Sequence, residues 1–178
     1  MSTRRADPEQ LRLLTEVFRQ HGALDPEAWA RSQLEEGIPQ LAIFSFAKAL
    51  WEGVESENDT KWIDREIEWA KSRPGDPCAQ SGPALAEMLA KEVSRQSIAD
   101  LVRAMQYSTL FHACSLLDGA LVVDTPVANW TLHQVDDDGK PVAIIQGLHE
   151  VLLSLDPTGR EMRPRTTAQS DSEANSGE

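Results

Sequence analysis

The sequence predicts a mainly α-helical single domain, a helical bundle of five or six helices with a small C-terminal β-hairpin. Three observations lead there. Helix-start and helix-stop signals recur along residues 7–119, with apolar residues at helical spacing between them. Two stretches, QLAIFSFAKALWEGV and SIADLVRAMQYSTLFHACSLLD, are apolar over most of their circumference, as buried helices are. After Gly119 the character changes, and two β-prone runs flank a turn containing Asp-Gly. The domain is expected over residues 7–161. Beyond Met162 there is no Val, Ile, Leu or aromatic residue, so 162–178 reads as a tail that cannot bury enough to order itself.

Asp7-Pro8 places a capping carboxylate before a proline at the first helical position. Leu11, Leu14, Val17 and Phe18 then form one stripe, and Gly22 stops the helix. Asp25-Pro26 repeats the start, and Gly37 ends a second helix carrying Ala28, Trp29 and Leu34. Pro39 opens a third, whose apolar residues point in several directions up to Val54. Asp59 is the expected cap of a fourth, with Trp62, Ile63, Ile67 and Ala70 opposite Lys61, Asp64, Arg65 and Glu68. SRPGDPCAQSG, residues 72–82, reads as a loop. Pro83 starts a fifth helix through Val93.

Ser94 or Ser97 caps the longest helix, and Gly119 suits a left-handed C-terminal cap. On a wheel of about 100° per residue, Ile98, Leu101, Val102 and Met105 share a face. Leu110 to Leu117 is apolar all round, so burial of the C-terminal half is expected. Helices 39–54 and 97–118 are expected to pack together at the centre. Trp130–Val135 and Pro141–Ile145 form the hairpin, and Gly147 to Leu155 makes a last helical turn or two.

A formal charge of −12 and a pI near 4.7 argue against nucleic acid, which needs clustered Lys and Arg. No run approaches a membrane span, and no apolar stretch follows the N-terminal arginines. Cys78 and Cys114 show no CxxC, and two reduced thiols in a cytoplasmic protein are the simplest account.

Motifs with a mechanism do not assemble. GxGxxG, GxxxxGK[ST] and GxSxG are absent. His149-Glu150 begins like HExxH, but Leu153 stands where the second zinc ligand would be. Asp136, Asp138 and Gly139 imitate a calcium loop, but its first and twelfth positions would be Gln134 and Ile145, so a solvated turn is expected. His112 falls with Met105 and Leu116 and reads as a core histidine. Cys114 reads as an inert buried thiol, which leaves Cys78 as the better candidate for reactivity. No metal site and no cofactor is expected.

Arg103 is the sharpest oddity. A guanidinium near a core needs a carboxylate or several carbonyls, so an ion pair locking two helices is one reading. The other is an anion-binding group of Arg103, Gln106 and Tyr107, the ligand-binding candidates of this chain. Trp29, Trp51, Trp62 and Trp69 read mostly as core, and any two sharing an exposed face would mark a binding surface.

EEGIPQLA at 35–42, DLVRAMQY at 100–107 and DPTGREMRP at 156–164 resemble a small family of uncharacterised bacterial cytosolic proteins. The resemblance spans about residues 25–164. It implies a bacterial source and a single-domain fold, and it lends no catalytic residue. Three functional expectations follow. The first is a non-enzymatic acidic protein-interaction domain, of which an immunity protein neutralising a bacterial toxin is a concrete form, with a basic partner surface as complement. The second is a small anionic-ligand binder. The third is an enzyme without a local motif, built from His112, His149 and Glu150.

Overall fold

The computed structural model describes residues 5–120 and 130–165. The tail from 166 onward and the Pro126 region of the β-branched run lie outside the described residues. The protein is mainly α. Among the described residues it has α1 (Pro8–Gln20), α2 (Pro26–Glu36), α3 (Gln40–Trp51), α4 (Trp62–Ser72), α5 (Ser81–Ala90), α6 (Arg95–Leu117) and the short α7 (Leu148–Val151). β1 (Leu132–Val135) and β2 (Pro141–Ile145) precede α7, and a 3-10 turn, Leu153–Leu155, follows it. By contacts the chain forms two compact units, Met1–Trp51 with Ala113–Glu178, and Glu52–His112.

The first unit begins with two helices whose starts are set locally. Asp7 accepts the N–H groups of Glu9 and Gln10 at 3.0 and 3.1 Å, and Asp25 accepts that of Ala28 at 3.1 Å. Each carboxylate satisfies backbone donors that have no partner within the helix. Gly37 closes α2 in the left-handed region, at φ 75°. Phe18, Ala30 and Phe44 form one core cluster of this unit, with Trp29 and Leu155 packed against them. Phe18 meets Phe44 edge-on at 5.5 Å. Burying each of these rings contributes roughly 2–3 kcal/mol before entropy is subtracted. α3 presents Ile43, Phe44, Ala47 and Trp51 as buried residues, and the Trp51 indole N–H donates to the Leu152 carbonyl at 2.9 Å.

The hairpin is antiparallel, pairing Leu132 with Ile145 and His133 with Ile144, with a register shift between Gln134 and Val135. Asp136 organises its turn by accepting the N–H groups of Asp138 and Lys140 at 3.0 and 2.9 Å. Gly139 stands at φ 77°, a conformation that glycine adopts without steric cost. The acidic triplet is thus a turn, as its composition suggested.

The second unit packs Trp62, Ile63 and Leu85 against Ile98 and Ala99, with Ile67, Leu89 and Val102 beside them. Phe44 of α3 belongs to the cluster of the first unit, and Ile98 and Ala99 of α6 belong to that of the second. Asp59 does not cap α4; its carboxylate accepts the N–H of Lys61 at 2.8 Å, just ahead of the helix. α5 starts two residues before Pro83 and ends at Ala90, with Glu92 at φ 59°. Ser94 caps α6 by accepting the N–H of Ser97 at 3.0 Å. At the other end, the Ala120 N–H reaches the Ser115 carbonyl at 2.9 Å, and the Gly119 N–H reaches Leu116 at 3.1 Å. That pair of bonds is a Schellman motif, with Gly119 at φ 68°.

Candidate functional site

α6 carries the residues that decide the functional reading. Its inner face is not the one that the apolar pattern predicts. Ile98 is buried and Val102 half-buried, but Leu101 is 55% exposed and Met105 61% exposed. Arg103 is buried in their place, at 5% exposure. The cause is the backbone of residues 55–57. The Arg103 guanidinium donates to the Glu55 carbonyl at 2.8 Å, and the Glu55 N–H donates to the Gln106 side-chain oxygen at 2.9 Å. Gln96 donates to the Glu57 carbonyl at 3.1 Å. Peptide groups partly removed from water are best paired, and α6 turns polar side chains inward to pair them. Of the three ligand-binding candidates, Arg103 and Gln106 thus hold the two polar groups of one residue. Tyr107 is half-buried and lies against Phe111, ring centroids 6.1 Å apart.

The C-terminal half of α6 also departs from expectation. Cys114 and Ser115 are buried and Leu110, Leu116 and Leu117 half-buried, but Phe111, His112 and Ala113 are exposed. His112 is therefore not a core histidine. The exposed side of α6 presents Leu101, Met105 and Phe111, with Ala104, Ser108 and His112 among them. Aliphatic and aromatic residues face water there, while Arg103 and Gln106 are turned toward the backbone of Glu55.

Trp29, Trp51, Trp62 and Trp69 do not form an exposed surface. Trp51 and Trp62 are buried, Trp29 and Trp69 half-buried, and the Arg73 guanidinium covers the Trp69 ring at 5.7 Å.

One polar pair had no signal in the sequence. The Asp118 carboxylate, just before Gly119, accepts the backbone N–H of His149 at 2.9 Å. The same oxygen lies 2.6 Å from His149 Nδ1. The Asp118 side chain is 3% exposed and that of His149 24%. Gly147, at φ 79°, turns the chain into α7 so that His149 arrives there. Asp118 Oδ1 is buried with no hydrogen-bond partner. A carboxylate on Nδ1 fixes the orientation of an imidazole. Cys114, one turn before Asp118, supplies no nucleophile: burial, then the Asp118 charge, push its thiol up to about 11 and hold it protonated. Glu150 follows His149 in α7, but His112 belongs to the other unit.

Cys78 is exposed and Cys114 buried, and both are free thiols. Among the described residues, no group of three or more His, Cys, Asp and Glu is placed to hold a metal ion. No described helix is long and apolar enough to cross a membrane. The chain matches no protein-family model, no curated protein and no solved structure.

Proposed function

We propose that this chain is a non-enzymatic protein-interaction domain whose partner is a basic protein seated on the exposed side of α6. The observation that carries the reading is the exposure of three large apolar residues, Leu101, Met105 and Phe111, on one side of a 23-residue helix, in a chain of formal charge −12. An apolar patch anchors a partner by desolvation, and the net charge steers a partner of opposite sign. Two further points support it. Arg103 and Gln106 are committed to the Glu55 peptide, which draws them away from an anion. The one buried thiol beside the Asp118–His149 pair is held protonated.

A concrete form is an immunity protein that neutralises a basic bacterial toxin. The test is affinity capture from the source cell with the full chain and with the double variant Leu101→Glu, Met105→Glu. The expected result is one stoichiometric basic partner, weakened by salt and lost with the double variant, whose melting temperature matches that of the parent. Equal capture by the two chains, or no stoichiometric partner, overturns the reading. Co-expression with the captured protein separates the toxin form from other partners: protection of the cell supports it, and an unaffected toxicity removes it.

A further inference from the structure

The second unit contains a cavity of about 460 Å³ between α4, α5 and the loop that joins them. Its origin is legible in the residues. Gly82 and Ala70 bring α4 and α5 so close that a Cβ on Gly82 would lie 2.4 Å from that of Ala70. Beyond that contact, the walls are short side chains, Ala70, Ala79 and Ala86, with Ile67 as the largest apolar one. Pro74 and Pro77 stiffen the loop that lines the far side, and the pocket is open to solvent. Small residues at a helix–helix junction ordinarily let the helices collapse together. Here the loop lines a space between them, at a volume in the range of small-ligand sites.

The rim carries two charges of opposite sign, Lys71 and Asp76. The Lys71 ammonium pairs with Glu68 at 2.7 Å across the surface, with both side chains largely exposed. Such a pair is worth little and exchanges readily for another carboxylate. Asp76 is half-buried; its Oδ1 accepts the Cys78 N–H at 3.0 Å, which fixes the direction of its carboxylate. A purely anionic ligand would meet Asp76, and a purely cationic one would meet Lys71. A ligand with one charge of each sign satisfies both, and its apolar body covers Ile67, Ala70 and Ala86.

We infer that this cavity binds a small zwitterion with an apolar body, of which an apolar amino acid is the simplest member. Its carboxylate sits at Lys71 and its ammonium at Asp76. The site is independent of the α6 surface.

The experiment is a titration of the full chain with L-phenylalanine, N-acetyl-L-phenylalanine and L-phenylalaninamide, followed by amide chemical shifts of Ala70, Ala79 and Ala86. Saturable shifts with phenylalanine are expected, with each one-charge analogue weaker by about tenfold or more. Lys71→Met should remove the advantage of phenylalanine over its amide. Asp76→Asn should remove its advantage over the acetylated form, because asparagine retains the Cys78 hydrogen bond. Ala86→Phe, which fills the space, should abolish the shifts at Ala70 and Ala79 in a folded chain. The inference fails if phenylalanine produces no saturable shift at these positions, or if the analogues bind as tightly as phenylalanine. Failure of Ala86→Phe to fold leaves the two rim variants to decide.

Discussion

Replacing Gly82 with alanine tests the packing that builds the second unit. Gly82 has no positive φ, so its backbone does not demand glycine. Only the contact does: a new Cβ would stand 2.4 Å from Ala70 Cβ. Carbon atoms rest about 3.5–4.0 Å apart, so α4 and α5 must separate by about 1 Å or more. Neither methyl has a rotamer through which to yield. Overpacking of this kind costs about 1–3 kcal/mol. Alanine in a helix gains at most about 1 kcal/mol over glycine, and less at the second position of α5. Gly82→Ala should therefore destabilise by about 1–2 kcal/mol.

The double variant Gly82→Ala, Ala70→Gly separates the contact from propensity. Removing the Ala70 methyl costs about 1 kcal/mol alone but relieves the clash, so the double variant should exceed the additive sum by about 1–3 kcal/mol. Urea unfolding followed by tryptophan fluorescence measures all four chains, since Trp62 is buried in the neighbouring cluster. A Gly82→Ala chain as stable as the parent, or additivity within about 0.5 kcal/mol, would mean that the Gly82–Ala70 contact does not set the spacing of α4 and α5.

Four other outcomes are expected. Arg103→Ala should cost about 2–4 kcal/mol in urea unfolding, because a half-buried carbonyl loses a charge-assisted donor and the space of a buried side chain empties, and Arg103→Lys should recover only part of it. Leu101→Glu with Met105→Glu should change stability by less than about 0.5 kcal/mol, since both side chains already face water; a larger loss would mean that they are covered. Asp118→Ala should destabilise by about 2–3 kcal/mol and speed hydrogen exchange of the His149 amide, which loses its acceptor. Stability should fall as pH rises from near 9 toward about 11, by on the order of 2 kcal/mol. The sign follows from Cys114, raised in the folded chain, so the unfolded chain releases its proton first. Cys114→Ala should flatten that slope, and alkylation at neutral pH should modify Cys78 alone.

What the sequence alone determined were the features whose cause lies within a few residues. Asp7, Asp25 and Ser94 start their helices because each side chain reaches an N–H two or three positions ahead. Gly119 closes α6, and Asp136 with Gly139 turns the hairpin, for equally local reasons. The mainly α class and the hairpin follow from these. Tertiary structure alone decided which face of α6 is buried. Apolar spacing favoured Leu101 and Met105, but a peptide group 48 residues before Arg103 had to be hydrogen-bonded, and that requirement outweighs the burial of two aliphatic side chains. The same holds for Asp118 and His149, 31 positions apart, and for the cavity that a run of small residues leaves beside α4. A periodic pattern records how apolar a face is; it carries no record of a distant carbonyl, carboxylate or void that selects the face.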